Sequence, residues 1–152
     1  MTILQTTLSD LSKTQPDINQ QLFINVQDIV NWSQSQNNQL LTNLKETLNN
    51  STSSIAYIDI PKMNCNFSCS GNGATITYNL TLSGEGFIGI FINGTNVNEN
   101  HFNHNATVSN FSFHSTVPVK GGSNNLVLRY KAVTGSINIS DQNTLQVSNA
   151  NI

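Results

Sequence analysis

Side chains that could do acid–base or metal chemistry are few in this sequence and stand in no familiar arrangement. Three histidines lie in the run NENHFNHNATVSNFSFH: His101, His104 and His114. A spacing of three between the first two would suit a metal on a helical turn, but the Asn-rich context predicts a loop, so we expect no metal site. A threefold axis that gathers three copies of one histidine is the less favoured alternative.

Carboxylates and cysteines give no sign of catalysis either. The carboxylates after residue 52 are dispersed: Asp59, Glu85, Glu99 and Asp141. Glycoside hydrolysis needs two acids at a fixed separation, and the sequence has no Ser/His/Asp signature or phosphate-binding loop. Cys65 and Cys69 would lie about 13 Å apart on one strand, too far for a disulfide. The sequence therefore predicts a protein that is not an enzyme and needs no cofactor.

The charge of the chain excludes several kinds of partner. The formal net charge is −2 and 9% of residues are charged, with Lys and Arg dispersed, so we expect no nucleic-acid binding. No apolar run is long enough for a membrane span. The stretch MTILQTTLSDLSK has neither the basic nor the apolar region of a secretory signal, so we expect a chain made in soluble form without a signal peptide.

Sequons for asparagine-linked glycans are frequent, and their positions are more informative about glycosylation than their number. Four fall on the outward side of a predicted strand or in a hairpin turn: Asn66, Asn79, Asn93 and Asn138. Around Asn79, the strand pattern ATITYNLTL has a polar side without charge. Glycans could solubilise this side. The sequence favours a different interpretation, in which Asn and Thr form a polar coat without glycans, or a face packed against neighbouring subunits.

The elements that position these residues change character at about residue 52. Before it, apolar residues recur at spacings of three and four, and the seam they predict is Ile18, Leu22, Asn25, Ile29 and Trp32. The pattern continues through Leu40, Leu44 and Leu48. It predicts an arm or short helix over 1–15 and a helical oligomerisation stalk over 16–52, with its main helix over 16–49. An amphipathic helix packed on its own β domain is the alternative.

Residues 53–152 carry strand and turn signals and predict a compact β-sandwich head. Eight short alternating segments are separated by Gly, Pro and Asn-Gly turns, which is typical of antiparallel sandwiches and barrels. Asn93-Gly94 predicts a tight hairpin. The longest irregular segment, Thr95–Asn105, is the candidate receptor-binding loop. Its candidate contact residues are His101, Phe102 and His104.

The stretch VPVKGGSNNLVLRYKAVTGSINISDQNTLQV, within about residues 85–150, resembles the closing strands of TNF/C1q-like jelly-roll heads. Such heads occur at the tips of trimeric spike and fibre proteins of viruses and phages. The resemblance rests on the rhythm of strands and Gly-marked turns, and the collagen-like stalk of many C1q-type proteins is absent. It implies a mainly β, antiparallel jelly-roll head after an N-terminal α-helical coiled-coil stalk, assembled as a homotrimer and displayed on a particle.

The leading hypothesis is a non-enzymatic structural or attachment protein of a virus-like particle. It would be synthesised in the host cytoplasm. Its homotrimer would contact other particle or capsid proteins through the N-terminal segment and present the head at the virion surface to a host glycan or protein. The alternative is a lectin-like carbohydrate-binding module, in which Phe102 would stack on a surface sugar.

Overall fold

The computed structural model describes residues 25–31 and 39–152 of the chain. The chain divides into two compact units, residues 1–35 and 36–152. In the first unit, residues 25–31 form a helix whose side chains are all exposed. Gln27 Nε2 donates a hydrogen bond to Asn31 Oδ1 at 3.1 Å across one turn of this helix. The arm predicted over 1–15 and the rest of the stalk before residue 39 lie outside the described residues.

Five antiparallel strands build the second unit: β1 Leu40–Thr52, β2 Ile58–Cys69, β3 Gly73–Ile92, β4 Thr95–Pro118 and β5 Gly122–Ala150. Their order is β1-β5-β3-β4, and β2 also pairs with β5. The predicted mainly β, antiparallel class is confirmed. The eight short segments expected from the sequence are joined into fewer and longer strands.

Residues 40–52 form strand β1 and not the end of a helix. They pair with β5, with Leu48 opposite Asp141. Leu44 and Leu48 are four residues apart, a spacing that places side chains on one face of a strand as well as of a helix. Leu48 is 4% exposed and packs in the β core, which favours the strand. The predicted helix is therefore wrong for residues 40–49, and the β unit begins before residue 53.

The long strands contribute to two half-sheets that share one core. The first half-sheet contains, in order, residues 40–52, 137–148, 73–82 and 109–118. The second contains residues 58–69, 122–130, 84–92 and 95–104. Inward side chains of both belong to one apolar cluster, which includes Ile60, Tyr78, Leu128 and Leu145. This arrangement is compatible with a jelly roll or β-sandwich.

Strand β3 passes from one half-sheet to the other at Gly84. The ladder with β4 moves from Leu82–Ser109 to Gly84–His104, so residues 105–108 bulge out. Gly84 has a φ of +102°, and a Cβ there would lie 2.4 Å from the Ser136 carbonyl oxygen. Glycine is required at this bend because any larger residue would meet backbone. A glycine expected to mark a turn thus bends a continuous strand.

The hairpin turn predicted at Asn93-Gly94 is confirmed. Both residues have positive φ, 51° and 85°, as a type I′ turn requires. Asn93 N donates to the Asn125 carbonyl oxygen at 2.8 Å, and Asn125 N donates to Asn93 Oδ1 at 2.9 Å. The turn between β3 and β4 is therefore fastened to β5.

Candidate functional site

Outward side chains of the first half-sheet are almost all uncharged. We name this surface the neutral face, and its outward residues include Asn43, Lys45, Thr47, Thr75, Thr77, Asn79, Thr81, Asn110, Ser112, His114, Thr116, Thr144 and Gln146. The hydroxyls of Thr75 and Thr116 lie 2.8 Å apart across neighbouring strands. The alternation predicted for residues 75–82 is confirmed, since Ile76, Tyr78 and Leu80 are fully buried.

The second half-sheet carries rings and charges on its outward side. We name this surface the aromatic face: Tyr57, Asp59, Glu85, Phe87, Phe91, Glu99, His101, Arg129 and Lys131. Most of these residues stand on neighbouring strands in adjacent register, whereas Tyr57 precedes β2. The two outward surfaces of the β unit therefore differ sharply in chemistry.

Tyr57 lies over Gly89 in the middle of the aromatic face. A Cβ on Gly89 would lie 2.8 Å from Phe91 Cε2 and 2.9 Å from Tyr57 Cε1, so the missing side chain makes room for the ring. The rings of Tyr57 and Phe91 meet edge to face with centroids 5.2 Å apart. The Tyr57 hydroxyl donates a hydrogen bond to Glu99 Oε2 at 2.7 Å. Packing and a polar bond together fix the orientation of this ring.

Lys131 lies between two of the rings. Its Nζ stands 4.6 Å from the centroid of Tyr57 and 5.1 Å from the centroid of Phe87. The strand register places Phe87 between Lys131 and His101, and the ring centroids of Phe87 and His101 are 5.1 Å apart. A row of cation, benzene ring and imidazole thus crosses three strands. Aromatic faces attract cations at these distances.

Arg129 occupies the neighbouring row. Its Cζ lies 4.3 Å from the centroid of Phe91, and its Nε donates to Asp59 Oδ1 at 2.8 Å. The ion pair is largely exposed on the Asp59 side, so its contribution to stability is small. Its structural effect is to hold the guanidinium against the ring.

The carboxylates of Glu85 and Glu99 are also engaged. Glu85 lies 3.4 Å from His101 Nε2 and accepts a hydrogen bond from Asn103 Nδ2 at 3.4 Å. Glu99 accepts the phenol bond described above and a second bond, from Asn96 Nδ2, at 3.5 Å. Each acid of the aromatic face therefore has a donor from this chain.

The pKa of Tyr57 is raised well above the ordinary tyrosine value. The main cause is burial of the phenol, and the hydrogen bond to Glu99 acts in the same direction because a phenolate would face a carboxylate. The hydroxyl consequently stays protonated and remains a donor at neutral pH.

The candidate receptor-binding residues do not form the expected loop. Thr95–Asn105 belongs to strand β4 and pairs with β3, so the prediction of an irregular segment is wrong. Phe102 is 3% exposed and packs in the core against Phe111, so its predicted role as a stacking residue is wrong. His104 contacts the same rings, while His101 is exposed on the aromatic face. The alternation of the strand separates the neighbouring residues onto opposite sides.

The four glycosylation candidates, Asn66, Asn79, Asn93 and Asn138, are all exposed. The amide of Asn66 accepts a hydrogen bond from Asn125 Nδ2 at 3.0 Å, and that of Asn93 donates to Asn124 Oδ1 at 2.9 Å. Their use as sequons stays a prediction.

The predicted oligomer seam is described in part. Asn25 and Ile29 lie in the helix over 25–31, where Ile29 is 65% exposed beside Val26 and Val30. Ile18, Leu22 and Trp32 lie outside the described residues. An apolar helix surface exposed in the single chain is what a stalk seam requires, and the seam itself stays a prediction.

Within residues 25–31 and 39–152, no three His, Cys, Asp or Glu side chains are grouped so that they could hold a metal. No helix in the same ranges is long and apolar enough to cross a membrane.

No protein-family model matches the chain, and no curated protein matches it either. Among solved structures, the CBM36-1 domain of a multidomain xylanase from the hindgut metagenome of Trinervitermes trinervoides is 10% identical, with 73% of this chain and 100% of that chain covered and a TM-score of 0.45. Infectious bursal disease virus Gx strain gives 15% identity, coverage of 71% and 33%, and a TM-score of 0.42.

A ruminal GH26 endo-beta-1,4-mannanase is 16% identical, with a TM-score of 0.39. The match covers 65% of this chain and 19% of the mannanase chain. The solved structures that are similar to this chain thus include carbohydrate-binding modules and a virus. At such TM-scores the likeness carries no argument about function, which has to come from the site.

Proposed function

We propose that the β unit is a non-enzymatic binding module that recognises glycans through the aromatic face. The observation that carries this proposal is the convergence of the rings of Tyr57 and Phe87 with donors and acceptors on one sheet surface, while Phe91, 8% exposed, packs against Tyr57 and supports it. Binding sites for small polar molecules combine rings with a few fixed polar groups. This proposal keeps the carbohydrate-binding function of the lectin-like alternative, but it places the sugar contact on the aromatic face and not at Phe102.

The chemistry of a sugar fits such a surface. A pyranose has an apolar C–H side, which packs on a ring, and a rim of hydroxyls, which need hydrogen-bonding partners. Phe87 is half-buried and His101 is exposed beside it, so part of this row is open to a ligand. Glu85 and Asn103 border the same row and can exchange their long 3.4 Å contacts for sugar hydroxyls.

We further propose that this module serves as the attachment head of a homotrimeric protein at the surface of a virus-like particle. The exposed apolar side chains of Val26, Ile29 and Val30 favour association of the N-terminal segments, either with each other or with particle proteins. Three heads on one stalk would raise the avidity of individually weak glycan contacts. Light scattering should give a mass of three chains at micromolar concentration; a monomer would contradict the trimer.

Glycan-array binding tests the site. We expect the wild-type protein to bind a subset of glycans, and Phe87→Ala to reduce this binding about tenfold or more, because removal of a ring at the centre of an interface costs roughly 2 kcal/mol. Thr77→Ala, an exposed change on the neutral face, serves as the matched control and should bind as the wild type does. Loss of binding with Thr77→Ala alone would move the site to the neutral face.

A further inference from the structure

We infer that Lys131 makes the aromatic face selective for glycans that carry an acidic group, a carboxylate or a sulfate. This inference rests on the proposed glycan-binding function and names the ligand class of the same site. The charged groups of the face differ in one respect: all of its carboxylates have donors from this chain, while the ammonium of Lys131 has no carboxylate partner among the described residues.

The carboxylates are occupied in three separate ways. Asp59 accepts from Arg129 at 2.8 Å, Glu85 is in contact with an imidazole and an amide, and Glu99 accepts the Tyr57 phenol at 2.7 Å. The ion pairs formed by residues 25–31 and 39–152 are His101–Glu85 and Arg129–Asp59, and neither includes Lys131. No carboxylate in these ranges thus lies within an ion-pair distance of its ammonium.

The surroundings of Lys131 are aromatic. The ammonium stands 4.6 Å from the centroid of Tyr57 and 5.1 Å from that of Phe87. Ring faces attract the charge, but they leave the three N–H donors of the ammonium free to bind an oxygen. The side chain is half-buried, so a partner would be less screened there than on an open surface.

A sugar carrying an acid completes this arrangement. Its C–H side can pack on the accessible part of Phe87 while its anionic oxygen accepts from Lys131 Nζ. Hydrogen bonds between two charged groups are about twice as strong as neutral ones. We therefore expect an acidic glycan to bind about tenfold more tightly than its neutral counterpart with the same ring and linkage.

The experiment compares matched glycans on an array. Each uronic-acid glycan is printed beside its methyl ester, and each sulfated glycan beside its desulfated form, so that the two sources of the anion are separated. Three variants are compared with the wild type. Lys131→Met removes the charge, Lys131→Arg retains it, and Lys45→Met removes a lysine charge from the neutral face as the matched control. Thermal melting verifies that each variant is folded.

Support would be an approximately tenfold preference for the acidic member of a pair, lost in Lys131→Met and kept in Lys131→Arg and Lys45→Met. Acidic and neutral members bound equally by the wild type, or a preference that persists in Lys131→Met, would overturn the assignment of Lys131 and leave the glycan-binding function standing. Wild-type protein that binds no printed glycan would contradict the function itself.

Discussion

Gly89 is the residue on which the geometry of the aromatic face depends most directly. A methyl group there would meet Phe91 Cε2 at 2.8 Å and Tyr57 Cε1 at 2.9 Å, so Gly89→Ala should displace the Tyr57 ring. We expect the free energy of unfolding, measured by urea denaturation, to fall by about 1–3 kcal/mol, as overpacking usually costs. Fluorescence and near-ultraviolet circular dichroism of the tyrosines should change at the same time.

Gly121→Ala is the matched control for this substitution. Its nearest atoms would be backbone oxygens of Gly71 and Cys69 at 3.8 and 3.9 Å, which is ordinary contact. We expect the free energy of unfolding to stay the same or rise by up to about 1 kcal/mol, because alanine restricts the unfolded chain. Equal losses for both glycine variants would show that Gly89 is not closely overlaid.

Tyrosine ionisation provides a second test at the scale of the residue. Burial raises the pKa of Tyr57, Tyr78 and Tyr130, that of Tyr78 to about 12. A raised pKa means that the folded state holds the phenolic proton more tightly than the unfolded state does. Tyrosines of the unfolded chain titrate at about pH 10. This contribution to stability is complete below that pH and is lost as the pH rises towards 12.

The phenolate absorbance of the folded protein should therefore rise at a higher pH than that of the protein unfolded in urea. The free energy of unfolding should decrease over the same alkaline range. Coincident titration curves of the folded and unfolded protein would contradict the burial of these phenols.

Strand β1 is the element that the sequence misassigned, and a pair of substitutions tests it. Leu48 is 4% exposed and Leu40 is 52% exposed, although both are leucines of the same strand. Leu48→Ala should lower the free energy of unfolding by about 2–4 kcal/mol because it leaves a cavity. Leu40→Ala should lower it by less than about 1 kcal/mol. Equal small effects from both would favour a solvent-exposed helix over this segment.

Elements whose pattern has a single meaning were predictable from the sequence. The alternation of residues 74–82 and the Asn93-Gly94 hairpin were confirmed because period two and paired positive φ values have few other solutions. Strand β1 could not be predicted from its leucines, because a spacing of four residues places side chains on one face of a strand as well as of a helix. Burial against β5, which is a tertiary effect, decides between them.

The candidate site was harder to predict from the sequence than the strands were. Tyr57 precedes β2 and lies over Gly89, a residue with no side chain to signal the contact. The rows on the aromatic face depend on the register of β3 against β4 and β5. One signal was available: Phe87, Gly89 and Phe91 alternate on the outward side of FIGIFI, which marks an apolar surface that needs a cover.

At the scale of the whole molecule, the β unit presents two outward surfaces of unlike chemistry on one core. The neutral face carries amides and hydroxyls with Lys45 as its charged member, whereas the aromatic face combines Phe87 and Tyr57 with both cations and anions. Specific recognition of a polar ligand favours the second, because rings and fixed charges supply both contact area and direction. The neutral face offers hydrogen bonds from amides and hydroxyls, with His114 as the one ring among the outward residues named for it.

The measurement that tests glycan recognition by the aromatic face most directly is nuclear magnetic resonance of the isotopically labelled full chain, titrated with a glycan that the array selects. We expect the largest amide shifts at residues 57, 87–91, 99–103 and 129–131, and small shifts at residues 75–81 and 110–116 of the neutral face. Shifts concentrated on the neutral face, with the aromatic face unchanged at saturation, would contradict the assignment of the site.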